Sequence, residues 1–132
     1  MGNWLKEDGV VDSLRTILVV EDDSSIQSLM ALVLEEQGYR VETAANGRQG
    51  LDVFEKCSPD LILLDMNMPV MNGWEFAREL RAAHDSKVPI VVVTASAEAK
   101  KAAEDIVAVG CITKPFELEA LLKAVSQFII RH

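Results

Sequence analysis

A chain of 132 residues, 49% of them hydrophobic, has enough apolar side chain for one compact domain and no room for a second of ordinary size. Its formal charge of −8 argues against a general nucleic-acid surface, which depends on clustered Lys and Arg, and its apolar runs, such as 17–20, 61–64 and 90–93, fall far short of the roughly 20 residues of a membrane span. The start lacks the basic stretch and apolar run of a secretory signal, which leaves a cytoplasmic address by default. Cys57 and Cys111 stand neither in C-x-x-C spacing nor beside histidine, so reduced, structural thiols are expected and a zinc site or redox pair is not.

Residues 1–15 form a polar arm in which Trp4, Leu5, Val10, Val11 and Leu14 fit an extra helix, a partner contact or a disordered leader. The apolar run 17–20 then ends abruptly in Glu21, Asp22 and Asp23, as a buried strand does where it leaves a sheet. Ser24 and Ser25 offer helix caps, and Ile26, Leu29, Met30, Val33 and Leu34 recur at helical spacing as far as Gly38, a natural stop. Tyr39, Val41 and Thr43 alternate with Arg40, Glu42 and Ala44, which predicts a less buried strand at a sheet edge.

Asn46-Gly47 turns the chain into a second helix, with Leu51 and Phe54 facing the core, and Ser58-Pro59 breaks it. Residues 61–64 are apolar throughout, between Asp60 and Asp65, and predict a central parallel strand. A loop from Met66 to Gly73 leads to a third helix with Phe76, Ala77 and Leu80 on one face; Pro89 then opens a strand over 90–93 that ends in Thr94. An Ala-rich helix is predicted over 97–107, a short strand over 109–113 ending at Lys114-Pro115, and a closing helix marked by Leu118, Leu121, Leu122, Val125 and Ile129.

Five strands alternating with five helices through short loops imply an α/β domain, with parallel strands, right-handed crossovers and helices on both faces. Strands two and five are the less apolar and belong at the edges. That suits a flavodoxin-like (βα)5 three-layer sandwich in the order 2-1-3-4-5, a known order for doubly wound sheets.

In such a sheet the functional crevice lies beyond the carboxyl ends of the strands, beside the point where strand order reverses. Singly, the polar residues there are bland. Glu21, Asp22 and Asp23 read as a solvated loop or the electronegative start of a helix, Asp65 as a turn residue, Thr94 as a cap and Lys114-Pro115 as a surface turn. Together they place carboxylates, a hydroxyl and an ammonium at the ends of four strands on one rim. Two carboxylates about 4 Å apart repel by about 4 kcal/mol at an effective dielectric of about 20, so a cation belongs among them. An all-oxygen site suits a hard divalent ion, Mg²⁺ best. Mg²⁺ beside a lone Asp points to phosphoryl transfer onto Asp65, with Lys114 neutralising charge and Thr94 donating a hydrogen bond.

The segments ILVVEDD, DLILLDMNMPVMNGWEF, VPIVVVTAS and ITKPF resemble, in this order, the receiver domain of response regulators, over residues 16–131. The resemblance implies that Glu21 and Asp22 hold Mg²⁺, Asp22 directly and Glu21 mostly through water, with Mn²⁺ a possible substitute. It implies that Asp65 is the phosphoacceptor and a metal ligand, that Asn67 contributes its backbone carbonyl, that Thr94 and Lys114 bind phosphoryl oxygens, and that the Lys114–Pro115 bond is cis. Asp23 is left as a helix-start charge. Pro69 stiffens the loop, Gly73 marks a place that must be free of a side chain, and Met66, Met68 and Met71 pack the loop rather than bind metal.

Two departures from the family fall on its output face. Cys111 stands where many receivers carry a switching aromatic, and reads as a small core residue on an edge strand. The Thr94–Lys114 interval is short, which implies a truncated fourth helix or a tight turn; phosphorylation is therefore expected to reorder 95–107, whose Ala-rich face buries little. His84 and His132 are expected at the surface.

The resemblance thus implies a phosphoacceptor switch in two-component signalling rather than an enzyme, one that catalyses its own phosphorylation and dephosphorylation. Its expected partners are a histidine kinase or histidine phosphotransfer protein and a downstream effector, reached through the face of the fourth helix, fifth strand and fifth helix, with no direct nucleic acid or membrane partner and a monomer or weak homodimer as the state. With no effector domain in these 132 residues, residues 16–132 are expected to be a stand-alone receiver or a domain cut from a longer protein. A haloacid-dehalogenase-type phosphatase would need its D-x-D nucleophile at strand one, where EDD stands instead, and a degenerate receiver would lack motif residues that are all present.

Overall fold

A computed structural model describes residues 15–84 and 87–129, so the expectations for the N-terminal arm and for His132 lie outside the described residues. Strands and helices alternate as β1 (Thr16–Val20), α1 (Ser24–Glu36), β2 (Arg40–Ala44), α2 (Gly47–Cys57), β3 (Leu61–Leu64), α3 (Gly73–His84), β4 (Ile90–Ala95), α4 (Ser96–Asp105), β5 (Gly110–Lys114) and α5 (Leu118–Phe128). The strands form one parallel sheet in the order β2-β1-β3-β4-β5, which is the flavodoxin-like arrangement expected. Among the described residues, no helix is long and apolar enough to cross a membrane.

The central strands are apolar at every position because both of their faces are covered. Successive side chains point to opposite faces. Leu18, Val20, Ile62, Leu64, Ile90 and Val92 pack one way, against Leu51 of α2, Phe76 and Leu80 of α3 and Ala102 and Ala103 of α4. Ile17, Val19, Leu61, Leu63, Val91 and Val93 pack the other way, against Met30 and Leu34 of α1 and Leu121 and Val125 of α5. The result is the three-layer sandwich.

Several local expectations change. Asp23, not Ser24 or Ser25, caps α1: its carboxylate accepts from the Ser25 and Ile26 N–H groups at 2.9 and 3.0 Å, leaving the serines as the first helical residues. The inward face of α1 is narrower than its apolar spacing implied, because Leu29 is 45% exposed; a step of about 100° from buried Met30 carries it off the stripe. In β2 the buried residue is Ala44, which packs with Leu51 of α2 and Phe76 of α3, while Thr43 is exposed. The three loop methionines pack as expected, and do so in the core with Phe76 and Leu80.

The short Thr94–Lys114 interval is absorbed twice. Helix α4 ends at Asp105 rather than 107, and a tight turn follows in which Val107 takes a φ of 56° and the Ala108 N–H donates to the Ala103 carbonyl at 2.8 Å. The alanine face of α4 is covered, with Ala99, Ala102 and Ala103 buried and Ile106 buried just beyond the helix, but each alanine contributes little apolar area.

Candidate functional site

The sheet register assembles the rim. Val20 pairs with Leu64, and the Asp65 N–H donates to the Val20 carbonyl at 2.9 Å, so the residues that follow β1 and β3 emerge side by side. Gln27 of α1 secures this corner. Its amide donates to the carbonyls of Glu21, at 2.9 Å, and Ala44, at 3.1 Å, which satisfies strand-end groups that would otherwise lack partners. Sequence reasoning missed Gln27, because its role depends on two strands meeting. On the far side, Thr94 pairs with Thr113 and Ala95 with Lys114.

Glu21, Asp22 and Asp65 present carboxylate oxygens within 4.8 Å of one another. Glu21 and Asp65 are buried, at 1% and 4% exposure, while Asp22 is open to solvent. The Lys114–Pro115 bond is cis, and the Lys114 ammonium reaches back to Glu21 Oε1 at 2.8 Å and Asp65 Oδ2 at 3.5 Å. Thr94 is buried, and its hydroxyl accepts from the Asn67 side-chain amide at 3.3 Å. The Asn67 backbone N–H donates to Asp65 Oδ1 at 3.2 Å. Gly73 lets the loop fold back under Asp65: a Cβ there would lie 2.8 Å from Met66 Cα and 2.9 Å from the Asp65 carbonyl oxygen.

Burial pushes the Glu21 carboxyl up to about 7; Lys114 and the Asp23 N–H oppose the shift, and the Asp65 charge adds to it. Asp22 is raised as well, by desolvation first and then by Asp65 beside it. Desolvation works against the Lys114 charge, but Glu21 and Asp65 outweigh it and its pKa is raised. The cluster therefore holds more negative charge than one ammonium neutralises. Its donors are all hard carboxylate oxygens, a set that fits a hard divalent cation.

The remaining expectations divide. Asp23 is a cap, and its N–H also donates to Glu21 Oε2 at 3.1 Å, so it holds the site together from outside. Cys111 lies on edge strand β5 but is exposed, not a small core residue; the buried side chain of that strand is the neighbouring Ile112. Both cysteines are free thiols, and burial raises Cys57 to about 11. His84 is half-buried rather than superficial, with its ring 5.2 Å from that of Phe54. Glu98 of α4, which sequence reasoning passed over, accepts from the Asn67 amide at 3.0 Å; its only signal was its place in the turn after Thr94.

A doubly wound parallel sheet with three carboxylates, a hydroxyl and an ammonium on its carboxyl rim defines an α/β protein with an acidic site at the strand switch point. The chain belongs to the response regulator receiver domain family, whose model matches residues 17–126. It is 34% identical over 115 residues to sporulation initiation phosphotransferase F of Bacillus subtilis, covering 86% of this chain and 92% of that protein. Among solved structures it resembles the Vibrio cholerae chemotaxis protein CheY4, with a TM-score of 0.80, 38% identity and coverage of 88% and 99% of the two chains. It also resembles the response regulator TrrA of Thermotoga maritima in complex with Mg²⁺–BeF, with a TM-score of 0.78, 30% identity and coverage of 88% and 100%. Other curated relatives are longer proteins: the chain spans 24%, 47% and 46% of three of them.

Proposed function

We propose that this receiver domain accepts a phosphoryl group on Asp65 from a phosphohistidine of a sensor kinase or phosphotransfer protein, in a Mg²⁺-dependent reaction. The observation that carries the reading is the convergence of the Glu21, Asp22 and Asp65 carboxylates within 4.8 Å beneath an ammonium that contacts both Glu21 and Asp65. Asp22, Asp65 and the Asn67 carbonyl would hold Mg²⁺, or Mn²⁺ in its place, with Glu21 acting through water. When bound, the ion neutralises charge on the transferring group and on Asp65.

Asp65 is held for in-line attack. Its backbone N–H is fixed on β1 and the Asn67 N–H orients Oδ1, so a carboxylate oxygen forms the P–O bond while the P–N bond to histidine breaks and the electron pair leaves with the imidazole nitrogen. Lys114 and the Thr94 hydroxyl take phosphoryl oxygens. Hydrolysis reverses the state: water attacks phosphorus, inorganic phosphate departs and the Asp65 carboxylate returns. The domain acts as a switch in the cytoplasm, as a monomer or weak homodimer, and signals to an effector protein through its α4-β5-α5 face, with no direct role for nucleic acid or membrane.

The test is intact-mass measurement after incubation with acetyl phosphate and Mg²⁺. Wild type gains one phosphoryl group and Asp65→Asn gains none. An unmodified wild type, or an adduct that survives the substitution, overturns the proposal.

A further inference from the structure

One side chain on the rim spans three parts of the fold. The Asn67 amide donates to Thr94 Oγ1 at 3.3 Å and to Glu98 Oε1 at 3.0 Å, while its backbone N–H rests on Asp65 Oδ1 at 3.2 Å. The acceptor loop, the end of β4 and the first turn of α4 are thereby joined. Among the described side chains, the buried methyl of Ala99 is the other anchor of that turn. The cap residue Ala95 makes no side-chain cap hydrogen bond, and the buried alanines of α4, Ala99, Ala102 and Ala103, bury little apolar area each. The other end of α4 is tied separately, by Trp74 Nε1 donating to Asp105 Oδ2 at 3.1 Å.

We infer that Glu98 is a charge-sensing latch: through Asn67 it holds the first turn of α4 on the acceptor loop while Asp65 is unmodified, and it is released when negative charge is added at Asp65. The inference rests on Asp65 being the phosphoacceptor. Glu98 is a positioning residue here and touches no reacting atom.

Two effects act in the same direction. An ionised carboxylate only accepts hydrogen bonds, and the new phosphoryl oxygens compete with Glu98 for the Asn67 amide and draw on the Thr94 hydroxyl. A phosphoryl group also brings roughly two negative charges to the site whose rim Glu98 occupies, and like charges repel across it. Equilibrium coupling is reciprocal. If charge at Asp65 displaces Glu98, then Glu98 opposes charge at Asp65, and neutralising it strengthens binding of a phosphoryl-like anion.

The experiment titrates beryllofluoride, in saturating Mg²⁺, into wild type, Glu98→Gln and Glu98→Ala. Binding is followed by tryptophan fluorescence, and amide exchange over 96–102 is measured with and without the complex. Both variants are expected to bind about fivefold more tightly than wild type, the low end of typical couplings for an exposed group. Exchange over 96–102 is expected to rise on binding in wild type, and in Glu98→Ala to be fast already and to rise no further. Glutamine keeps an acceptor for Asn67 without the charge, so its slow exchange before binding separates the hydrogen bond from the repulsion. Equal affinity in all three proteins, or wild-type exchange unchanged by the complex, overturns the latch. A wild type that binds no beryllofluoride and gains no mass from acetyl phosphate defeats the phosphoacceptor reading, and the latch falls with it.

Discussion

Glu21 carries the sharpest electrostatic conflict in the site. It is buried at 1% exposure beside Asp65 and needs the Lys114 ammonium at 2.8 Å to remain charged. Its carboxyl titrates at about 7 in the folded chain against an ordinary value of 4.5, so between those values the folded form binds more protons than the unfolded one. The contribution of this group to stability is then fully present below about pH 4.5 and is lost as pH rises through 7, a change of roughly 3 kcal/mol. In EDTA, the unfolding free energy of wild type is expected to fall relative to Glu21→Gln across pH 5–7. Parallel pH profiles of the two proteins would contradict the assignment. Much of this site was legible from residue types, since Glu21, Asp22, Asp65, Thr94 and Lys114 each end a strand. The Asn67 side chain, Gln27 and Glu98 were not, because their partners lie on other elements.

The elements show why boundaries resist reading. Helix α3 begins with a reciprocal cap that the sequence reading overlooked: the Glu75 N–H donates to Asn72 Oδ1 at 2.9 Å and the Asn72 N–H to Glu75 Oε1 at 3.0 Å, a capping box built on asparagine. The residue after that cap, Gly73, was expected to need freedom from a side chain. The structure gives the reason as space: a Cβ would press on Met66 and on the Asp65 carbonyl oxygen. Gly73→Ala is therefore expected to lower stability by about 1–3 kcal/mol, read as a lower urea midpoint; a midpoint equal to that of wild type would show that the loop yields freely. Helix α4 was placed two residues late at its end because alanine periodicity continues past Asp105, whereas the chain must turn at Val107 to bring Gly110 alongside Val91.

At the scale of the whole molecule, negative charge gathers on one rim of a sheet whose two faces are fully used for packing. A divalent ion bound only by the folded chain stabilises it by mass action, by about 2.7 kcal/mol at a hundred times its dissociation constant. Mg²⁺ is expected to raise the thermal midpoint of wild type, EDTA to reverse the rise, and Asp22→Asn to abolish most of it. An equal rise in the variant would place the ion elsewhere.

The order of elements, the parallel sheet and the identity of the strand-end residues follow from the chain alone, because short apolar runs such as 17–20, 61–64 and 90–93 between helical patterns pack as a covered parallel sheet and the polar residues bounding them must emerge at its edges. Which of those groups touch was decided only by the folded sheet. Register set Asp65 beside Glu21 and turned Lys114 toward both, the faces that α1 and β5 turn to the core left Leu29 and Cys111 exposed, and the packing of α4 against the acceptor loop created the Asn67–Glu98 contact, since contacts between distant residues depend on how whole elements pack rather than on local periodicity.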